Sequence, residues 1–155
     1  QMRNFAYKYG DNSIESRAAS PGNRFAPGKR PMSTMHPVMV FDRKSQLSLI
    51  TGSPGGSQIP AANLRLVTGV IDFNLHVGDA TMLPRIHKDW PFTGIEHEST
   101  VSQDNLSLLN RIGHRLDLSD TIGSTQSIQI IDGVNHGFAD TRRPNSGVSV
   151  EESNL

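Results

Sequence analysis

The sequence predicts an α+β fold, on three observations. Two pairs of short β-type runs are each joined by a polar turn, the pattern of hairpins. Between them lie segments whose apolar residues recur at three- and four-residue steps, the period of helices packed on one side. The 14 Gly and 9 Pro supply the many turns such an arrangement needs. A length of 155 residues fits one domain, residues 1–155. Fifteen Lys and Arg balance fifteen Asp and Glu, so no nucleic-acid partner is implied. Hydrophobic residues make up 35%, lean for a self-sufficient core, yet their runs are too regular for disorder. With no Cys, disulfides and thiol chemistry are excluded. No apolar run reaches membrane-spanning length, so no membrane span is expected. The chain opens at Gln1, which fits a processed product or a piece of a longer chain.

Taken in order, residues 1–9 alternate Phe5 and Tyr7 with smaller residues, an edge strand or extended loop. Residues 10–29 are a surface loop rich in Asn, Ser, Gly, Pro and Arg, functional or mobile by its length. Residues 37–41 are a strand, 42–46 its polar turn and 47–51 the return. Ser57 is the expected N-cap of a helix, with Pro60 in its first turn, where a missing N–H costs little. Ile59, Ala62, Leu66, Val70 and Phe73 make one buried stripe on that helix. Leu64, Val67 and Ile71 widen it, so the helix is expected to be covered on more than one side. Gly69 points to close packing against a neighbour. Residues 77–83 are a second, short helix ended by Pro84. Residues 94–97 are extended. Ser102 or Asp104 caps a third helix, with Leu106, Leu109 and Ile112 on one face and Gly113 at its end. Residues 115–118 are a short strand and 124–131 a longer one. Asp132-Gly133 turns the chain and 137–140 return. Residues 141–155 are a polar surface tail.

Two loops carry candidate chemistry. Ser33 and Thr34 put two hydroxyls side by side, next to Lys29 and Arg30. Read functionally, they donate hydrogen bonds to a carboxylate in a positive field; read plainly, they are loop hydroxyls and a solvated basic pair. Gly55 and Gly56 lie at the mouth of a helix, where backbone can approach closely and unpaired N–H groups face outward. That suits an oxyanion, or simply a tight strand-to-helix turn. No Lys-Ser or Lys-Thr pair follows the glycines, so this is not a phosphate-binding P-loop. The spacing of Gly52-Ser53-Pro54-Gly55 is not that of a nucleophile elbow. The six His fall at no metal-ligand spacing, so neither a metal nor any other cofactor is expected. His87 beside Trp90 reads as structural.

The segment Pro27-Gly28-Lys29-Arg30-Pro31-Met32-Ser33-Thr34-Met35 resembles the P-x-K-R-P-L-S-S-M segment of γ-glutamyltransferases, also called γ-glutamyl transpeptidases. The likeness continues through Thr51-Gly52-Ser53-Pro54-Gly55-Gly56-Ser57. It returns in Pro84-Arg85-Ile86-His87, in Gly123-Ser124-Thr125-Gln126-Ser127 and in Ala139-Asp140-Thr141-Arg142-Arg143-Pro144, in the family's order and spacing. The resemblance implies part of an N-terminal-nucleophile hydrolase, an αββα four-layer sandwich. In that family a precursor cleaves itself into a large and a small subunit, and the small subunit's new N-terminal Thr forms the acyl-enzyme. This sequence resembles the later part of the small subunit. It lacks the Thr segment, and is therefore expected to be inactive alone. The implied partners are the large subunit, the upstream part of the small subunit and a small γ-glutamyl substrate. Ser33 and Thr34 would bind the substrate's α-carboxylate, Gly55 and Gly56 would form the oxyanion hole, and Gln1 would help hold the α-amino group. Where the family has two Asp after Met, this chain has Arg3 and Asn4, so the carboxylate that pairs with the substrate ammonium is replaced by Asn4. That opens an alternative, a glutaryl- or cephalosporin-type acylase. From another class, a non-catalytic binding module would keep the pocket and lose the reaction. Relatives are often exported, so a periplasmic or extracellular location is expected.

Overall fold

The computed structural model describes Phe5, residues 21–89 and residues 94–149. The chain divides into two compact units, residues 1–34 and 35–155. In the first, a 3-10 turn spans Pro21–Asn23. Phe5 is buried and meets the edge of the Phe25 ring at 5.3 Å. Lys29 Nζ donates to the Gly22 carbonyl at 2.7 Å, so this cation is spent on its own loop. Of the expected strand over residues 1–9, all but Phe5 lies outside the described residues.

The second unit contains two sheets. Strands β1 (Val38–Phe41), β2 (Leu47–Gly52), β6 (Gln126–Ile131) and β7 (Val134–Ala139) form an antiparallel sheet in the order β1-β2-β6-β7. Both expected hairpins are in it. In the first turn, Asp42 Oδ1 accepts from the amides of Lys44 and Gln46, and Ser45 takes a positive φ. In the second, Asp132 and Gly133 both take positive φ, the backbone a two-residue hairpin turn needs. Strands β3 (Ile86–His87), β4 (Gly94–His97) and β5 (Arg115–Leu118) form the other sheet. β4 and β5 run parallel, and helix α3 (Gln103–Arg111) makes the crossover that parallel strands require. Ser102 caps α3 by accepting from the Asn105 amide. The pairing of β3 was not legible in its two residues alone.

Helix α1 (Ile59–Ile71) and helix α2 (Val77–Met82) pack on the larger sheet through Leu49, Leu66, Val70, Val77 and Ala80. Gly69 permits the close helix pair: a Cβ there would lie 3.0 Å from Ala80 Cβ. Three expectations need correction. Ser57 is not the N-cap of α1; Gln58 holds that position after a 3-10 turn over Gly56–Gln58, and Ser57 Oγ donates to Asp89 instead. Phe73 lies beyond the end of α1 and is 66% exposed, so the stripe stops at Val70. Leu64 and Ile71 are also exposed, because among the described residues α1 is covered on one side only. Leu64 instead lines an open apolar groove of about 680 Å³ with Ala61, Pro84, Ile86, Val101 and Leu108.

Among the described residues, the opposite face of the larger sheet carries an exposed apolar row. Met39 is 63%, Phe41 56% and Ile128 42% exposed. Register places Met39 beside Ile50 and Ile50 beside Ile128, so this is a continuous row across three strands. Among the described residues no helix is long and apolar enough to cross a membrane.

Candidate active-site turn

β2 ends at Gly52, and residues 53–58 carry the chain into α1. Gly55 takes φ 141°, ψ 12° and Gly56 takes φ 59°, both in the region that disfavours side chains. The Gly55 carbonyl accepts from the Gln58 amide at 3.1 Å, and the Gly56 carbonyl accepts from the Ile59 amide. N–H groups at the start of such a turn have no acceptor inside it. The glycines therefore form a kinked run of donors at a helix entrance, able to receive an anion.

A second loop, residues 122–125, lies against this turn. A Cβ on Gly55 would sit 3.3 Å from Gly123 Cα. Ser53 Oγ accepts from the Ser124 amide at 2.9 Å and donates to the Pro54 carbonyl at 2.7 Å. The expected strand start at Ser124 moves to Gln126, because Ser124 and Thr125 serve this loop and are buried. Below them, Thr51 and Ser127 share a buried hydroxyl pair at 2.7 Å across β2 and β6.

The 122–125 loop is fixed by a network of four charged side chains: Arg85, Glu98 and Asp140, which are buried, and Arg142, which is half-buried. Arg85 donates to the Ile122 carbonyl at 2.9 Å, to the Thr81 carbonyl and Thr125 Oγ1 at 3.0 Å, and to Asp140 Oδ2 at 2.8 Å. Glu98 accepts from the amides of Ile122 and Arg85 and from Arg142 Nε and Nη2. Asp140 also accepts from the amides of Thr125 and Arg142. Two cations face two carboxylates, and nearly every polar atom has a partner, which is what makes burial of such a cluster tolerable. Arg85 Nε is the exception, buried with no partner among the described residues. Burial lowers the Arg85 pKa, with the Arg142 charge adding to it. Burial also pushes the Asp140 carboxyl up, but the Arg142 amide and the Arg85 charge outweigh it and hold the group below its ordinary value. For Arg142 burial is likewise outweighed, here by Glu98, and its pKa is raised.

Sequence reasoning assigned no role to these four residues. Arg142 fell in a segment read as polar surface; its hydrogen bonds to Glu98, Asp140 and the carbonyls of Thr81 and Leu83 correct that reading. His87 is buried as expected of a structural residue, with Nε2 3.1 Å from Asp89 Oδ2; Trp90 lies outside the described residues. Gly55 and Gly56 are brought together in the 35–155 unit. Ser33, exposed, and Thr34, half-buried, lie in the 1–34 unit. Gln1 and Asn4 lie outside the described residues. Asn63, fully buried on α1, donates through Nδ2 to the His36 carbonyl.

These features define an α+β piece of an N-terminal-nucleophile hydrolase, with a glycine turn backed by a loop that charged side chains hold. Residues 1–150 match the model of the γ-glutamyltranspeptidase family, and the chain belongs to that family. It is 38% identical over 143 residues to the glutathione hydrolase proenzyme of Escherichia coli, covering 92% of this chain and 24% of that one. The chain thus spans about a quarter of the length of that curated relative. The γ-glutamyltranspeptidase of Helicobacter pylori superposes with a TM-score of 0.84 at 28% identity, over 92% of this chain and 78% of that one. A cephalosporin acylase from Bacillus halodurans superposes at 0.76 with 26% identity, over 84% and 25%.

Proposed function

We propose that this chain supplies the glutamyl-binding pocket and oxyanion hole of a γ-glutamyl amide hydrolase or transferase acting on glutathione-type donors. The amides of Gly55 and Gly56 stabilise the oxyanion of the tetrahedral intermediate. Ser33 and Thr34 hold the α-carboxylate, and the family resemblance assigns Gln1 and Asn4 to the α-amino group. The attacking Thr comes from another part of the same precursor, which also supplies the large subunit. Family membership over residues 1–150, with two adjacent positive-φ glycines at a helix entrance, carries this reading. The uncovered Met39–Ile50–Ile128 face suits a second sheet contributed by that remainder, as a sandwich requires. Export to the periplasm or the cell exterior goes with the family resemblance.

A second reading is favoured by one residue. Asn4 carries no charge where the family's carboxylate pairs with an ammonium, and an acyl group such as glutaryl has no ammonium to pair. Initial rates of the full-length gene product on γ-glutamyl and glutaryl anilides separate the two. A higher kcat/KM on the γ-glutamyl anilide is expected, with Asn4→Asp widening the preference. Faster turnover of the glutaryl anilide would transfer the function to the acylase reading. Binding of either acyl group without turnover would leave a non-catalytic module.

A further inference from the structure

We infer that Ser53 and Gly123 are positioning residues that set the direction of the Gly55–Gly56 amides; this rests on the oxyanion-hole reading above. The two loops exclude each other's side chains at one point. Gly55, at φ 141°, has Gly123 Cα where a Cβ would need space, at 3.3 Å, and the Gly123 amide nitrogen at 3.6 Å. Gly123, at φ 68°, has Ser53 Oγ 2.7 Å and Ala62 Cβ 2.8 Å from the position of its own missing Cβ. Gly55 thus meets the Gly123 backbone directly, while Gly123 is walled in by the side chains of Ser53 and Ala62. Ser53 Oγ then ties the contact on both sides. It donates to the Pro54 carbonyl, just before Gly55, and accepts from the Ser124 amide, just after Gly123. One hydroxyl fixes the entry to the donor turn relative to the loop that backs it. That loop is in turn held at Ile122 by Arg85 through its carbonyl and by Glu98 through its amide. The consequence is selective. A turn with the wrong tilt still binds a planar acyl group held elsewhere, but loses donors aimed at the tetrahedral oxygen.

The test uses the full-length gene product and two ligands. A boronic acid analogue of the γ-glutamyl group forms a tetrahedral adduct and reads the oxyanion hole; free glutamate reads ground-state binding alone. Ser53→Ala removes the hydroxyl without adding volume. Its boronate affinity should fall about tenfold with glutamate affinity within about twofold, and kcat should fall with KM nearly unchanged. Equal weakening of both ligands, or of neither, overturns the inference. If Ser53→Ala does not mature, Ser53→Cys carries the same comparison, and failure of both to mature also overturns it, since the contact would then serve folding. Gly55→Ala separates this inference from the reading beneath it. If Gly55→Ala does not selectively weaken the boronate, the oxyanion-hole reading is what fails. If it does while Ser53→Ala does not, only the positioning role falls.

Discussion

Removing the Arg85 guanidinium while keeping its aliphatic length, as in Arg85→Met, tests whether the buried network is a single interacting unit. Arg85 is 1% exposed and its side chain donates to four acceptors between 2.8 and 3.0 Å. In the variant the Ile122 carbonyl loses its Arg85 donor, and Asp140 keeps Arg142 as its one facing cation. Two carboxylates then face Arg142 in a cluster that is largely buried, where screening is weak. Breaking one partner of such a cluster costs about 3–5 kcal/mol, which lowers the folding equilibrium constant by roughly two to three and a half powers of ten. The assay is equilibrium urea unfolding of the full-length gene product. Asp140→Asn leaves the opposite imbalance, two cations against Glu98. The double variant leaves Arg142 and Glu98 matched, with Arg142 Nε 2.6 Å from Glu98 Oε1. It should therefore cost less than the sum of the singles by about 1–3 kcal/mol. A single-variant loss below about 1 kcal/mol, or strict additivity, refutes the claim that these charges act together.

Acidification tests the same cluster. Asp140 has a folded pKa held below its ordinary unfolded value, so its contribution is present above that value and disappears as pH falls through the folded pKa. Urea midpoints measured from pH 6 to pH 2 should drop steeply at the acid end, and Asp140→Asn should flatten that drop; an unchanged slope would contradict it. Gly69→Val places a branched side chain where even a Cβ meets Ala80 at 3.0 Å and Leu83 at 3.2 Å, and should lose about 1–3 kcal/mol in thermal unfolding. Thr34→Ala removes a hydroxyl proposed to bind the substrate carboxylate and should raise KM about tenfold or more at similar kcat, an outcome read from anilide kinetics. Ile128→Lys puts a charge in the uncovered apolar row and should reduce recovery of assembled, active enzyme if a second sheet docks there; normal assembly by size exclusion would argue against that docking.

Local pattern carried the fold a long way. The hairpins at Asp42–Gln46 and Asp132-Gly133 are decided by turn residues a few positions apart, and the α1 stripe by spacing within thirteen residues. The failures share a cause, which is that burial depends on partners distant in sequence. Phe73 fits the helical period as well as Leu66 does and Leu64 extends the apolar face beside it, but the sheet that buries Leu66 does not reach either. Ser57 is a good N-cap residue by type; a 3-10 turn shifted the helix start past it, and Asp89 took its hydroxyl.

The site divides along the same line. Gly55 and Gly56 stand out in the sequence because adjacent glycines before an apolar helical stripe point to backbone geometry rather than side-chain packing. The residues that hold them do not stand out. Arg85, Glu98, Asp140 and Arg142 are spread over 58 positions, and an isolated charge in a sequence reads as solvated surface. Only their convergence shows that the surface reading is wrong. The family resemblance includes the segments that hold Arg85, Asp140 and Arg142 but not Glu98. Glu98 nevertheless touches Arg85, Ile122 and Arg142 at once, and so joins the network to the loop behind the glycines. A donor turn without such bracing would be free to tilt, and an oxyanion hole is only as good as the direction of its N–H groups. On the oxyanion-hole reading proposed above, the charged network and the paired glycines are therefore one device, with the chemistry at one end and its rigidity at the other.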